Sequence, residues 1–409
     1  MQIKRLLLMV LSAVALQSTA RDKIDLSPLA WDITLDPQAQ WANDKLFTPP
    51  VTMASLPVNL PTGGWQLLDH PQKTGVHLPA TVEGEMWGWN GQTYGVTGNY
   101  VGVSWFRTQV DVPANWQGKR IALQFDAVRF RAEIFVNRQL VGYDLVNSTP
   151  FEVDITPYAK VGQKNEVAVR ITDPNGNFNW KDSQCYAWGA YLTNPSHGFG
   201  GITGRVHLVA TDNTFIRDMF VENTPAASTV KVHIAAEGVK QATPLKLELR
   251  ERGSNKVVWS RQEQMDGSEK TLTLSLPQAK LWSVEEPNLY ELTAKLGNDE
   301  LTQRFGFRWF EVRDVKGDRQ FYLNGKRITL ITAISWSFWP DNGITPSREL
   351  AYKQVRDAKQ LGMNMLNFHR TIGNTDVLNA ADELGLLYFE EPGGNQYPAN
   401  KFDDGTAYT

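Results

Sequence analysis

The segment Met363–Glu391 most constrains the fold, because its residue pattern changes from strand to helix and back to strand. Side chains alternate along a strand, so Leu366 and Phe368 share one face of the first strand, and Asn367 and His369 share the other. A strand, a helix and a second strand in this order predict a parallel βα unit. In (β/α)8 barrels the C-terminal ends of such strands contact the ligand.

Two long regions before this segment show apolar residues alternating with polar ones, which is typical of half-buried strands. Residues 63–212 contain the alternating triplets Ile121, Leu123, Phe125; Ala132, Ile134, Val136; and Val167, Val169, Ile171. Residues 214–312 contain Val230, Val232, Ile234; Leu245, Leu247, Leu249; and Leu272, Leu274, Leu276. The first region predicts an antiparallel jelly roll, and the second predicts an immunoglobulin-like sandwich.

After Gly317 the pattern no longer has the period of a half-buried strand. We predict a buried strand over residues 328–336, and a helix that Thr345 and Pro346 begin and that carries an apolar stripe of Ala351, Val355 and Ala358. Asp376 opens a second helix, Gly385 closes it, and residues 386–391 form a third strand. A complete barrel needs roughly 250 residues, whereas only about 90 follow Asp318. This part of the chain therefore predicts three of the eight barrel strands.

The first twenty residues have the pattern of a secretory signal peptide. Lys4 and Arg5 precede an apolar run from 6 to 16, which is too short to span a bilayer, and small residues end at Ala20. Cleavage there would make Arg21 the first mature residue; a buried N-terminal helix is the alternative. No cysteine follows the run to carry a lipid, so we expect a periplasmic or secreted protein without a membrane anchor.

Composition limits the other classes of function. Cys185 is the single cysteine, so no intrachain disulfide can form and stability must come from the cores. A net charge of −3 provides no basic surface for nucleic acid. His, Asp and Glu do not cluster at metal-ligand spacing, so we expect no metal or other cofactor. The 14 tryptophans suit a packed core, but they also suit stacking against sugars.

Short motifs along the chain resemble those of glycoside hydrolase family 2, which includes β-galactosidases, β-glucuronidases and β-mannosidases. Those of its sugar-binding domain are Trp105-Phe106-Arg107, Val112-Pro113, Trp116 to Lys119, Phe135-Val136-Asn137, Pro150 to Thr156, Asn165 to Ile171, Gly200-Gly201-Ile202 and Arg205-Val206. Those of its later domains are Leu281-Trp282-Ser283, Pro287 to Tyr290, Phe305 to Arg308, Phe321 to Lys326 and Asp382 to Gly385.

This resemblance, together with the residue patterns above, predicts a signal peptide at 1–20, an extended lead-in at 21–60, and a sugar-binding jelly roll at 61–213. An immunoglobulin-like sandwich at 214–312 and the start of a TIM barrel at 313–409 would follow. It also implies a retaining β-glycosidase acting on oligosaccharides or other β-glycosides, with catalytic carboxylates on strands four and seven, beyond Thr409. The 409 residues alone would then be inactive. The alternative is a non-catalytic carbohydrate-binding or structural module.

The chain departs from the family pattern at the second barrel strand. Asn367 stands where relatives carry an arginine, while His369 is retained. Residues 331–334 replace an Arg-Gly-Val-Asn-type stretch on the first strand. We interpret His369 as a donor to a sugar hydroxyl, or else as a satisfied polar loop residue. Asn367 would contact the sugar, or else tie down neighbouring backbone.

Glu390 and Glu391 are neighbours on one strand, so they point to opposite faces and cannot flank one glycosidic bond. If Leu387 and Phe389 pack against helices, Glu390 points into the barrel mouth and Glu391 does not. Each glutamate would accept a hydroxyl or support a catalytic group, or else pair with a cation at the strand end.

Residues 175–199 form an aromatic-rich interruption of the first sandwich. We predict a loop that reaches the rim of the site, with Trp180 and Trp188 as stacking platforms for a sugar. The alternative is a loop that packs on itself.

Overall fold

The computed structural model describes residues 21–47, 50–86, 100–146, 149–174, 186–188, 191–193, 200–335, 347–369 and 372–391. In these residues the chain is mostly β-structure. Two antiparallel sandwiches are followed by a small antiparallel sheet and then by a parallel sheet with two helices. Within these ranges no helix has both the length and the apolar character needed to cross a membrane.

The first sandwich has two main antiparallel sheets over one core, together with two short two-stranded sheets. Its strands are β1 (Asp22–Asp25), β2 (Trp31–Asp36), β3 (Lys73–Val76), β4 (Ala80–Thr81), β5 (Gly102–Asp111), β6 (Arg120–Phe125), β7 (Arg131–Val136), β8 (Gln139–Asp144), β9 (Phe151–Asp154), β10 (Lys164–Asp173), β11 (Tyr186–Trp188), β12 (Tyr191–Thr193), β13 (Gly201–Ile202) and β14 (Val206–Thr211). Helix α1 spans Val82–Met86. The six-stranded sheet has the order β3-β2-β5-β10-β7-β8, and it packs on the four-stranded sheet β1-β14-β6-β9. This arrangement is consistent with a jelly roll.

Residues 21–60 are not an extended lead-in, and that description is corrected. Strand β1 pairs with β14, and β2 pairs with β5, so this stretch supplies one strand to each sheet. Trp41 and Trp65 further along pack over Trp105 and Phe135 on the outer face of the six-stranded sheet. The pairing partners lie far away in the chain, so the local residue pattern does not reveal them.

The second sandwich follows directly. Its strands are β15 (Phe215–Asn223), β16 (Thr229–Glu237), β17 (Thr243–Glu251), β18 (Val257–Met265), β19 (Glu269–Ser275), β20 (Tyr290–Leu296) and β21 (Asp299–Phe305). The sheet β15-β16-β19 shares a core with the sheet β18-β17-β20-β21. The alternating residues of the sequence lie in β16, β17 and β19 and point into this core, and Leu276, which follows β19, packs against it partly buried. This is consistent with an immunoglobulin-like sandwich.

The last part of the chain starts with a small antiparallel sheet of β22 (Phe310–Val315), β23 (Asp318–Leu323) and β24 (Lys326–Arg327). The parallel sheet consists of β25 (Thr332–Ser335), β26 (Met365–Phe368) and β27 (Leu387–Glu390). Helix α2 (Arg348–Gln360) connects the first two of these strands, and α3 (Thr375–Leu384) connects the last two. The predicted parallel βα order is therefore confirmed, while closure into a barrel stays a prediction.

Both helices pack on one face of the parallel sheet. Their buried residues Ala351, Val355, Val377 and Ala381 meet Leu366 and Phe368 of the central strand in one core. Ser347, not Thr345, is the N-cap of α2, since its Oγ accepts the Leu350 amide at 3.3 Å. Strand β25 is not buried as predicted, because Ile331 and Ile334 are more than half exposed.

Side chains from both sandwiches contact helix α3. Arg205 of the first sandwich lies 2.8 Å from Asp376 in the first turn. From the second sandwich, Arg304 binds Glu383, and the Trp282 indole donates to the Asp382 carbonyl at 2.7 Å. The helix is thereby held at both of its ends by other domains.

Gly385 ends α3 in a left-handed conformation at φ 80°. A Cβ at this position would lie 2.3 Å from the Val284 carbonyl oxygen of the second sandwich. Gly362, which follows α2, has a similar φ of 82° but has no atom within 4 Å of a built Cβ. The same substitution at these two positions therefore separates the cost of backbone strain from the cost of a steric clash.

Gly362→Ala should lower the free energy of unfolding by about 1–2 kcal/mol through backbone strain alone. Gly385→Ala should cost roughly 1–3 kcal/mol more, because the added methyl must also push the Val284 backbone away. Denaturant unfolding of both variants checks this difference. Equal losses in the two variants would show that the contact with Val284 is not tight.

A buried cluster of charges lies between α1 and the end of β10. Glu83 is 1% exposed; its Oε1 accepts the Tyr100 amide at 2.8 Å, and its Oε2 has no partner among the described residues. Asp173 nearby pairs with Arg129 at 3.0 Å, and both are buried. Burial raises the pKa of the Glu83 carboxyl to about 8, and the Asp173 carboxylate adds to that rise.

The folded state should therefore hold the Glu83 proton more tightly than the unfolded chain. The resulting stabilisation is complete below the unfolded pKa of 4.5 and is lost as pH rises through about 8. Glu83→Gln stays neutral, so its stability relative to wild type should grow by up to about 1.4 kcal/mol per pH unit within that window. Unfolding curves at pH 5, 7 and 9 test this, with exposed Glu269→Gln as control. Parallel pH profiles for Glu83→Gln and wild type would contradict it.

Candidate functional site

The C-terminal ends of the three parallel strands form the candidate site. Register pairs Ile334 with Asn367 and Asn367 with Phe389, so these three side chains share one face of the sheet. Ile334 and Phe389 are more than half exposed, whereas the opposite face is covered by α2 and α3. His369 follows β26 and continues the sheet through its amide, which donates to the Ser335 carbonyl at 2.9 Å.

Three of the predicted residues come together at this edge. The Asn367 amide nitrogen donates to Glu391 Oε1 at 3.2 Å. His369 Nδ1 lies 3.5 Å from Glu391 Oε2. All three side chains are partly exposed, and they place an amide, an imidazole and a carboxylate next to one another. We call Asn367, His369 and Glu391 the mouth cluster.

The predicted orientations of the two glutamates are wrong. Glu390 pairs in register with Phe368 on the helix-covered face, and its Oε1 accepts the Gly373 amide at 2.8 Å. Glu391 is the one that reaches the mouth cluster. The error came from assigning Phe389 to the helix side, where Leu386 packs instead. Glu390 therefore supports the loop between β26 and α3.

Asn367 has one polar atom left over. Its Oδ1 is buried and has no hydrogen-bond partner among the residues described. Buried polar atoms are nearly always paired with protein, water or ligand. An acceptor of this kind beside the mouth cluster is able to receive a hydroxyl hydrogen from a bound molecule.

Trp188 does not offer a stacking platform in this structure. It is 1% exposed, and its indole nitrogen donates to the Trp41 carbonyl at 2.8 Å. The Trp41 ring meets it edge-on with centroids 5.8 Å apart, and the Arg131 guanidinium lies 4.8 Å from its ring centroid. Its partners Trp41 and Arg131 lie outside residues 175–199, so Trp188 packs against the sandwich and not within its own loop. Trp180 lies outside the described residues.

The described part of the candidate site does not hold two facing carboxylates. Retaining glycoside hydrolysis uses two carboxyl groups about 5–5.5 Å apart, and Glu390 and Glu391 lie on opposite faces of the sheet. Over the described ranges no three His, Cys, Asp or Glu side chains group as metal ligands. The amide, imidazole and carboxylate of the mouth cluster are hydrogen-bonding groups that can bind and orient a polyhydroxylated molecule.

Two groups of charged residues were missed by the sequence analysis. The buried Glu83, Asp173 and Arg129 give no local signal, because charged residues are usually exposed. Arg205 was noted only as part of a motif, and its contact with Asp376 joins residues 171 positions apart. A prediction of which strands face α3 would have been needed to find that contact.

Family models match most of the described chain. The model for the sugar binding domain of the glycosyl hydrolases family 2 matches residues 30–211. A second model, for the glycosyl hydrolases family 2, matches residues 214–308. The two matches coincide with the two sandwiches.

Individual proteins are similar over the same region. The β-galactosidase of Thermoanaerobacter pseudethanolicus is 28% identical over 324 residues, which are 73% of this chain and 40% of that protein. The β-glucuronidase of Bacteroides fragilis is 24% identical over 332 residues, which are 72% of this chain and 44% of that protein. The chain thus spans less than half the length of these curated relatives.

Solved structures show the same fold. The β-glucuronidase of Bacteroides uniformis aligns with a TM-score of 0.67 and 21% identity over 90% of this chain and 42% of that one. The β-glucuronidase of Ruminococcus gnavus aligns with a TM-score of 0.67 and 19% identity over 92% of this chain and 59% of that one. With both sandwiches matched by models of one family, the chain belongs to family 2 of the glycosyl hydrolases.

Proposed function

We propose that the protein is a β-glycosidase whose parallel sheet is the beginning of a (β/α)8 catalytic barrel. The observation that carries this proposal is the mouth cluster, which lies at the C-terminal ends of parallel strands. That edge is where such barrels place their active sites. The β-galactosidase and β-glucuronidase relatives support a β-linked sugar as substrate.

The chemistry of the mouth cluster suits sugar hydroxyls. Each hydroxyl donates one hydrogen bond and accepts others. Glu391 accepts, the His369 ring can do either according to its tautomer, and Asn367 Oδ1 accepts. Glu391 also orients its two neighbours through the 3.2 Å and 3.5 Å contacts. The cluster would thus hold two adjacent hydroxyls of one sugar ring.

Bond cleavage would need groups that the mouth cluster does not supply. We infer a retaining mechanism, in which one carboxylic acid protonates the leaving oxygen and a carboxylate forms the glycosyl-enzyme intermediate. These two groups are expected from barrel strands beyond residue 409. In this scheme the mouth cluster fixes the sugar ring so that its anomeric carbon lies between them.

The proposal predicts the effect of His369→Ala in a form of the protein with a complete barrel. Loss of one sugar hydrogen bond should lower kcat/KM for an aryl β-glycoside about tenfold to hundredfold. The melting temperature should change little, because the side chain lies on the uncovered face. His233→Ala is the matched control, since this histidine lies on the outer face of the second sandwich beside Glu222 and Thr271.

Aryl β-galactoside, β-glucuronide and β-mannoside should be assayed in parallel to identify the sugar. The 409-residue chain alone should show no turnover. Equal kinetics for His369→Ala and His233→Ala would remove the mouth cluster from the site. Sugar binding without turnover of any glycoside, even with the barrel complete, would favour a non-catalytic carbohydrate-binding module instead.

We also propose that the protein is exported after cleavage behind Ala20. The support is the cationic flank, the apolar run and the small residues at 18–20. N-terminal sequencing of protein recovered from the periplasm or medium should begin at Arg21. Recovery of the protein only from the cytoplasm, with Met1 intact, would refute export.

A further inference from the structure

The described part of the loop between β26 and α3, residues 372–374, is fixed on its inner side by the parallel sheet. Glu390 Oε1 accepts the Gly373 amide at 2.8 Å, and the Asn374 side chain caps α3 by accepting the Asp376 amide at 2.9 Å. A Cβ on Gly373 would lie 2.7 Å from atoms of both Phe368 and Leu378, so this backbone is closely packed. The loop follows directly after His369.

A side chain from the first sandwich fixes the other side. Arg205 Nη2 donates to Asp376 Oδ2 at 2.8 Å, while Asp376 Oδ1 is buried without a partner among the described residues. Asp376 is therefore satisfied on one oxygen only, and Arg205 is its charge partner. Removing Arg205 would leave a largely buried carboxylate at the start of α3 without compensation.

Backbone hydrogen bonds within the first sandwich hold Arg205 and the residue before it. Its carbonyl accepts the Asp126 amide at 2.9 Å, and the preceding Gly204 amide donates to the Ala127 carbonyl at 3.0 Å. A Cβ on Gly204 would lie 2.4 Å from the Ala127 nitrogen, so the two backbones are in close contact. The Arg205 side chain therefore extends from a closely packed part of the backbone.

Arg205 lies among other charged side chains of the first sandwich. Burial lowers the pKa of both Lys23 and His207, and the positive charge of Arg205 lowers both further. Asp25 and Asp126 face the same two groups. Asp376 approaches this mixed set of charges from α3 and forms its ion pair with the Arg205 guanidinium at 2.8 Å.

The opposite end of α3 has its own contacts, from the second sandwich. Arg304 binds Asn379 at 2.6 Å and also binds Glu383, and Arg308 binds Asp382 at 3.0 Å. These contacts lie away from the loop that follows His369. Among these three arginines, Arg205 is the one that binds the first turn of the helix.

We propose that Arg205 is a positioning residue, through which the first sandwich sets the geometry of the β26–α3 loop and hence of His369 in the mouth cluster. Its effect on sugar binding rests on the proposed function, but its effect on the loop does not. The first sandwich thus contributes to the barrel mouth through one ion pair, without touching the sugar at this point.

The variants Arg205→Ala, Arg205→Lys and Asp376→Asn test the proposal, with Arg304→Ala as the matched control at the other end of α3. One readout is hydrogen exchange of the Gly373 and Asp376 amides. The other is the ring proton resonance of His369 in protein with labelled histidine, which contains only six such residues. Both readouts use the 409-residue chain and do not require activity.

Arg205→Ala and Asp376→Asn should raise exchange at these amides at least about tenfold and shift the His369 resonance. Arg205→Lys should restore both readouts at least in part, because it keeps the charge. Arg304→Ala should leave both readouts within about twofold of wild type. Unchanged readouts in Arg205→Ala and Asp376→Asn, or equal changes in Arg304→Ala, would overturn the proposal. If Arg205→Ala fails to fold, Asp376→Asn alone decides.

Kinetics on a form with a complete barrel separate positioning from general stability. Arg205→Ala should raise KM about threefold to tenfold with kcat within about twofold, because sugar contacts loosen while the reacting groups stay in place. A fall in kcat alone would indicate a loss of folded enzyme and would overturn positioning. If wild type turns over no glycoside, the proposed function fails, and exchange and resonance data still decide the role of Arg205.

Discussion

Helix α3 is the element on which the arrangement of the domains depends. Its first turn is bound by Arg205 of one sandwich, and its last turns are bound by Arg304 and Arg308 of the other. Charge-assisted hydrogen bonds of arginine have strong directional requirements, so each contact restricts the angle as well as the distance. A helix held in this way at both ends leaves the parallel sheet beneath it little freedom to rotate against either sandwich.

The mouth cluster follows from strand register. In a parallel sheet, residues paired across neighbouring strands point to the same face. Side chains alternate along a strand, so His369, two residues after Asn367, lies on the same face as Asn367. Glu391 reaches that face because it lies two residues beyond Phe389, the register partner of Asn367. A shift of one residue in β27 would replace Glu391 by Glu390 in the cluster and leave the Gly373 amide without its acceptor.

Much of the fold could be predicted, because alternation is a local property. The triplets in β6, β7 and β10 lie in the first core, and those in β16, β17 and β19 lie in the second. Predictions failed where distant residues decide the outcome. Trp188 is buried by Trp41, which is 147 positions away, and β1 pairs with a strand at the far end of its domain. The side chains of Glu390 and Glu391 were assigned to the wrong faces, because Leu386 and Leu387 are equally apolar and do not show which face the helices cover.

The pairing of β1 with β14 has a consequence for the order of events during biosynthesis. Strand β2 can join its neighbour once residues 102–111 have been made, whereas residues 22–25 meet their partner only after 207–210 have left the ribosome. Contacts of such long sequence separation form late. Residues 22–25 therefore remain without their sheet partner until almost all of the first sandwich has been synthesised.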